Sequence, residues 1–163
     1  MTEPFRWTSP LGASVIIFFA IGALWILIGL LTVPLHKRAA PDILFVSPST
    51  DTAYFGALPS ELAPAGSPLA KFRSMLLTIL AGFLLLGGSL VLSIAWFGLK
   101  QGQPWALAAL AIGVFLAVAF WCLALLPYFR AGIRVGLGDL PPFIWVPAVL
   151  ILPAVVLGWI GLR

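Results

Sequence analysis

The sequence predicts an all-α fold, a four-helix transmembrane bundle with one long proline-rich loop between the first and second helices. Four intervals, residues 7–35, 74–99, 101–129 and 140–162, contain no Asp, Glu, Lys, Arg or His. Each is longer than the roughly 20 apolar residues that a helix needs to cross the hydrocarbon core of a bilayer. Hydrophobic residues make up 62% of the chain and charged residues only 9%, whereas a soluble domain carries about 25% charged residues. None of the four intervals shows the polar stripe of a soluble core helix.

The boundaries of the spans follow from proline and from capping residues. We expect a single membrane domain, residues 1–163, whose spans cover residues 11–33, 75–99, 105–126 and 143–162. Proline disrupts helical hydrogen bonding, so Pro34 is expected to end the first span and Pro127 the third, and Pro141-Pro142 to begin the fourth. Ser67-Pro68 is typical of an N-cap followed by a first-turn proline. The second helix is therefore expected to begin before the hydrocarbon.

A short hairpin is expected between the second and third spans, where Gly102 suits a left-handed helix end and Pro104 a first helical turn. The segment from Trp96 to Leu107, WFGLKQGQPWAL, resembles a turn found in small bacterial four-helix membrane proteins near the DoxX-like group. That turn has an apolar stretch followed by G-L-R, x-G, a basic or polar pair and W-A; this chain departs from it at Lys100, where Arg is usual, and at Pro104. The resemblance implies a bacterial inner-membrane protein and no catalytic residue.

The long loop, residues 34–72, contains six prolines and two glycines, which excludes a long regular helix. It also contains apolar residues, unlike a disordered linker, so we expect it to pack on the membrane surface or to cap the bundle. A short amphipathic turn is expected around Thr50 to Leu58. The apolar residues of the loop are Ile43, Leu44, Phe45, Val46, Tyr54, Phe55, Leu58 and Leu62.

The net charge of +4 comes from basic residues that flank the spans, where lipid headgroups and topology explain them better than nucleic acid. Three basic residues, Arg6, Lys100 and Arg163, lie on the side of the two termini, and six lie on the side of the long loop. Because Lys and Arg are more frequent on the cytoplasmic side, these counts predict that the termini are outside and the loop is in the cytoplasm of a protein of the bacterial cytoplasmic membrane. The six basic residues on the loop side, expected to contact lipid headgroups, are Lys37, Arg38, Lys71, Arg73, Arg130 and Arg134.

The spans lack the ionisable groups that ion-coupled transport requires, so chemistry could occur only at a membrane face. The weak catalytic candidates on the loop side are Asp42, Asp51, Glu61 and His36. The three carboxylates are nine and ten residues apart with prolines between them, and such chemistry needs several groups to converge. A single histidine beside two basic residues is a poor metal ligand set. We therefore expect neither a metal nor a cofactor.

Small residues at four-residue spacing mark possible helix contacts, because close backbone approach drives helix association in lipid. Ala109, Gly113 and Ala117 share one face of the third span, and Ala154 and Gly158 share one of the fourth. These faces are expected to form either a homodimer seam or ordinary contacts within one bundle.

Three functional hypotheses follow. The first is a non-enzymatic integral membrane protein that packs with lipids, itself or another membrane protein through the 34–72 loop. The second is a lipid- or quinone-binding membrane enzyme, or a subunit of one, with its site at the loop face. The third is a subunit of a larger transporter complex. Nucleic acid is not expected as a partner.

Overall fold

The computed structural model describes residues 5–38 and 45–163, without the side chains of residues 33 and 35–38. This part of the chain is helical and contains no strand, which confirms the all-α prediction. A single 3₁₀ turn, Leu99–Gln101, connects the fourth and fifth helices. The helices are α1 (Pro10–Arg38), α2 (Pro48–Phe55), α3 (Pro59–Leu62), α4 (Pro68–Phe97), α5 (Pro104–Arg130) and α6 (Pro142–Gly161).

Each of these helices begins with a proline, whose missing N–H has no helical partner at that position in any case. In α1, α2 and α4 a serine precedes the proline, and its hydroxyl accepts a hydrogen bond from a backbone N–H in the first turn. The N···O distances are 3.1, 3.3 and 3.1 Å, from Gly12, Thr50 and Ala70 respectively. The helix start predicted at Ser67-Pro68 is therefore confirmed, and α1 and α2 begin with the same serine cap and proline.

Helices α1, α4, α5 and α6 are long and apolar enough to cross a membrane. Helix α4 has 30 residues and is about 45 Å long at 1.5 Å per residue, which exceeds the roughly 30 Å of hydrocarbon. Helix α4 is therefore longer than a span requires, and its first turns carry the basic residues Lys71 and Arg73. At the other end of α4, Gly102 adopts φ 72° and Pro104 begins α5, as expected for the hairpin.

Two helix ends differ from the sequence prediction. Pro34 was expected to end the first span, but α1 continues to Arg38; Pro127 was expected to end the third, but α5 continues to Arg130. Each proline removes only one helical hydrogen bond, and near a helix end water or neighbouring groups can satisfy the freed carbonyl. Pro147 and Pro153 likewise lie within the continuous helix α6.

Helix α1 is at the centre of the bundle, with α4 packed on one side and α6 on the other. Val15, Phe18 and Ile21 of α1 are fully buried there. The hydroxyl of Ser14 donates to the carbonyl oxygen of Ala154 at 2.7 Å, joining α1 to α6. Helix α5 packs on α6 and meets α4 chiefly at the hairpin, where Gly98 lies against Ala106.

Candidate functional site

The candidate site lies where the long loop folds over the ends of α5 and α6. Its centre is Asp51, which is fully buried in α2. The Asp51 carboxylate accepts hydrogen bonds from the backbone N–H of Phe45 at 2.8 Å and of Val46 at 3.2 Å. It also accepts one from the hydroxyl of Tyr128 at 2.9 Å, across 77 residues of sequence. Asp51 therefore ties the loop to α5.

Asp139 forms a second tie between the loop and the link from α5 to α6. One carboxylate oxygen accepts from the Ser47 hydroxyl at 2.9 Å, and the other from the backbone N–H of Gly136 at 2.9 Å. The hydrogen bond from Gly136, and after it the one from Ser47, lowers the pKa of Asp139 below its usual value, because both donors favour the charged form. Ser47 also caps α2, so its hydroxyl connects the start of α2 to the link between α5 and α6.

Aromatic and aliphatic contacts surround these polar ties. The Tyr128 ring stacks on Tyr54 with 4.4 Å between centroids, and Phe45 lies 5.1 Å from Trp121. Val46 packs in the same apolar cluster as Leu125 and Tyr128, with Val135 and Leu140 beside it. We call this assembly the loop clasp: the polar and apolar contacts of residues 45–54 with α5 and with the link to α6.

Of the four weak catalytic candidates, the structure describes the side chains of Asp51 and Glu61. Asp51 is buried in the clasp, whereas Glu61 is exposed and accepts from the backbone N–H of Leu58 at 3.2 Å, which caps α3. Asp42 lies outside the described residues, and His36 lies at the end of α1 in the segment whose side chains are not described. Within the described ranges, no group of three His, Cys, Asp or Glu residues could hold a metal ion.

The predicted headgroup contacts lie at the loop-side ends of the helices. Lys71, Arg130 and Arg134 are exposed there, and Arg73 is half-buried. The side chains of Lys37 and Arg38 belong to the segment that is not described.

The predicted packing faces behave differently from one another. Ala154 is fully buried, and a Cβ atom placed on Gly158 would lie 2.6 Å from Leu107, so this pair packs inside the bundle. Ala109 and Gly113 are exposed, and a Cβ placed on Gly113 would meet nothing within 4 Å. Ala117 is half-buried. The small residues on this face of α5 are therefore not explained by close contact with another helix of the bundle.

That face borders a cleft which the sequence analysis did not predict. Beyond the hairpin, α4 and α5 diverge and leave a cavity of about 260 Å³. Leu80, Leu84 and Gly87 of α4 form one wall, and Gly113, Ala117 and Trp121 of α5 form the other. No ionisable side chain lines this cavity in the described part of the chain.

The clasp itself had a signal in the sequence. Ser47-Pro48 repeats the Ser67-Pro68 pattern of a capped helix start, and Asp51 falls in the first turn of the helix so started. Nothing in the sequence marked Tyr128 as its partner, because that contact joins segments 77 residues apart.

The chain matches no protein-family model, no curated protein and no solved structure in comparisons with known proteins.

Proposed function

We propose that this chain is a non-enzymatic integral membrane protein that interacts with lipid or with a partner protein through its loop face, the outer surface of residues 45–72. The observation that carries this proposal is the use made of the loop carboxylates. Asp51 is fully buried, and its carboxylate holds the backbone of Phe45 and Val46 and the hydroxyl of Tyr128. Glu61 caps a helix start. Both carboxylates are therefore used to hold the structure of the loop, which supports a structural and not a catalytic role for them.

The outer surface of the loop face supports the interaction. Apolar side chains on α2, α3 and the start of α4 remain exposed beside the cation of Lys71. Large apolar side chains next to basic ones are typical of segments that lie in the membrane interface. The exposed apolar residues of this surface are Tyr54, Phe55, Leu58, Leu62, Leu69 and Phe72.

Native mass spectrometry of the full chain released from membranes in mild detergent tests the proposal. We expect bound lipid or a stable partner, lost when Phe55 and Phe72 are changed to serine. Leu137→Ser is the matched control, because Leu137 is 69% exposed on the link between α5 and α6, outside the loop face. Turnover of a lipid or quinone that Glu61→Ala abolishes would overturn the non-enzymatic assignment.

The proposed location is the bacterial cytoplasmic membrane, with the loop face in the cytoplasm, on the strength of the six-to-three distribution of basic residues. Single cysteines at Ala53 and Gln101, both exposed and at opposite ends of the bundle, test the orientation in a Cys122→Ala background. A membrane-impermeant thiol reagent added to intact cells should label position 101 and spare position 53. The reverse pattern would invert the topology.

A further inference from the structure

We propose that the loop end of α4 binds an anionic phospholipid, with the phosphate at Lys71 and one acyl chain in a shallow groove that runs from Lys71 along the helix. This inference deepens the proposed function, on which it rests, because Lys71 belongs to the loop face and the ligand of that edge is now named. The groove has a volume of about 450 Å³ and is lined by Lys71, Ser74, Met75, Thr78 and Ile79.

The groove lies between two rows of side chains on the outer side of α4. Lys71, Met75 and Ile79 are spaced four residues apart and form one row, and Ser74 and Thr78 form the next. Met75 and Ile79 are both exposed, and their longer side chains stand beside the shorter hydroxyl side chains. The space between the rows is open along the helix, as an extended acyl chain requires.

Lys71 supplies the charge at the loop end of the groove. Its side chain is exposed, and within the described part of the chain its ammonium group forms no ion pair. An ammonium group is a compact charge with three N–H donors, which is complementary to the oxygens of a lipid phosphate. The cation that lines the groove is therefore available to a ligand that lies in it.

The length of α4 matches Lys71 to the depth of lipid phosphates. Near the other end of α4, the ammonium group of Lys100 lies 3.4 Å from the ring centroid of Trp96. Tryptophan is enriched at the membrane interface, so we expect the hydrocarbon to end near Trp96 on that side. At 1.5 Å per residue, the opposite edge, roughly 30 Å away, falls about 20 residues earlier, near Leu76. Lys71 is then about 7.5 Å beyond that edge, in the headgroup layer.

The groove residues follow the polarity of a phospholipid from its headgroup to its tail. The cation comes first, the hydroxyl of Ser74 lies one turn further, and the apolar side chains of Met75 and Ile79 continue toward the middle of the helix. The Thr78 hydroxyl donates to the Ser74 carbonyl oxygen at 2.9 Å, so it is satisfied within its own helix. Lipid phosphates are present at the depth of Lys71 in every bilayer, and a cation there favours lipids with a net negative charge.

Photocrosslinking of the full chain in phosphatidylcholine nanodiscs tests the proposal. The probes are phosphatidylglycerol and phosphatidylcholine with the same diazirine in one acyl chain, so that the depth of the reactive group affects both alike. The ratio of phosphatidylglycerol label to phosphatidylcholine label on Met75 and Ile79 is divided by the same ratio on Val149 and Leu152, which are exposed on α6. We expect a preference of about fivefold in the groove, the effect of one basic residue near the surface.

Two sets of variants separate the charge from the groove. Lys71→Gln should remove the preference for phosphatidylglycerol, whereas Lys71→Arg should keep it. Arg134→Gln is the matched control, because it removes one positive charge from an exposed residue of the link between α5 and α6 and should leave the preference unchanged. Thr78→Trp fills the groove and should lower the preference about twofold or more, since the added ring takes the space of the acyl chain. Leu90→Trp, at an exposed position further along α4, should leave it unchanged.

A wild-type groove without preference for phosphatidylglycerol, or a preference that Lys71→Gln leaves intact, would overturn the lipid site. So would an equal fall in Lys71→Gln and Arg134→Gln, because net charge alone would then attract the lipid. Crosslinks from the groove to a second protein, with lipid excluded, would assign it to a protein partner instead. The variant with serine at Phe55 and Phe72 tests the proposed function separately. Bound lipid or partner lost from that variant, together with a groove without preference, would overturn this site alone; the opposite pair of results would keep this site and remove the interaction through the rest of the loop face.

Discussion

Helix α4 meets two neighbours, and the two contacts are built in opposite ways. Against α1 it is in backbone contact: a Cβ placed on Gly88 would lie 2.6 Å from the carbonyl oxygen of Gly22. A Cβ placed on Gly29 of α1 would lie 3.0 Å from the carbonyl oxygen of Ala81 in α4, which is also a close approach. Against α5, beyond the hairpin, the facing glycine Gly113 has nothing within 4 Å of its Cβ position, and a cleft separates the helices.

The difference shows what holds helices together in this fold. Lipid tails are as apolar as leucine side chains, so two apolar helices gain little by meeting unless their backbones approach closely. Glycines occur on both facing surfaces at the α1–α4 seam, which permits that approach. Along the α4–α5 cleft, bulky side chains such as Leu80 and Trp121 stand between the helices. Lipid can then occupy the space as favourably as protein does.

The largest effect is expected from breaking the tight seam. Gly88→Leu should destabilise the fold by about 3 kcal/mol, the upper part of the range for overpacking, because the side chain must displace the Gly22 backbone. Reversible unfolding in mixed micelles measures the change. Gly82→Leu on the same helix, where the Cβ position is open, should change stability by no more than about 0.5 kcal/mol. Similar losses in the two variants would show that the seam is not close-packed.

The loop clasp should come next in size, because it secures the loop-side end of α5 where close helix packing does not. Asp51→Ala removes the acceptor of Tyr128 and of two backbone N–H groups, at about 1–3 kcal/mol for each donor left unsatisfied. Hydrogen exchange at the amides of Phe45 and Val46 should accelerate about 30-fold or more, as a loss of 2 kcal/mol requires. Glu61→Ala is the control and should leave both amides protected. Unchanged exchange in Asp51→Ala would contradict the clasp.

A change of opposite sign is expected at the open side. Gly113→Ala should stabilise α5 by about 0.5–1 kcal/mol, since alanine is the better helix former and its methyl group meets open space. Gly88→Ala should destabilise. The same unfolding measurement gives the change in the free energy of unfolding for both variants. Changes of the same sign would contradict the distinction between the close-packed seam and the open cleft.

A smaller effect is expected at the contact between α1 and α6. Ser14→Ala removes the hydrogen bond to the Ala154 carbonyl and should lower stability by about 0.6 kcal/mol, the average for such bonds between membrane helices. Ser93→Ala is the matched control, because the Ser93 hydroxyl is exposed and donates to the Ser89 carbonyl of its own helix. A larger loss at Ser93 would reverse the assignment.

The smallest effect is a pH dependence of the clasp. The pKa of Asp139 is lower in the folded protein than in the unfolded chain, so its contribution is present above the unfolded pKa and is lost as the pH falls through the folded pKa. The amide proton of Gly136, which donates to Asp139, should report this by NMR with a midpoint below the usual pKa of an aspartate. A midpoint at or above that usual pKa would contradict the hydrogen bonds from Gly136 and Ser47.

Much of the fold could be predicted from local features. Charge-free length predicts spans, because hydrocarbon admits few ionisable groups, and serine followed by proline marks helix starts through bonds made within four residues. Proline was less reliable as a stop signal, since Pro34 and Pro127 lie inside helices. A proline removes one helical hydrogen bond, and the other hydrogen bonds of the turn decide whether the helix continues.

The candidate site was less predictable. Asp51 was singled out as a carboxylate that could do chemistry, but its hydrogen bonds to Tyr128 and to the loop backbone give it a structural position. Ala109 and Gly113 were expected at a helix contact and are exposed within this bundle. In both cases the residue type and its spacing in the sequence did not show which other residue it would contact.

The sequence by itself determined that the chain forms four long apolar helices, where they begin, and that charged groups lie outside the apolar stretches, because these properties depend on hydrocarbon solvation and on local hydrogen bonds. The tertiary structure alone decided which glycines meet. Gly22 and Gly113 are alike in an apolar helix, and only the arrangement of the helices makes one a backbone contact and the other the wall of a cleft. Such contacts depend on segments far apart in the chain, whose distance no local pattern records.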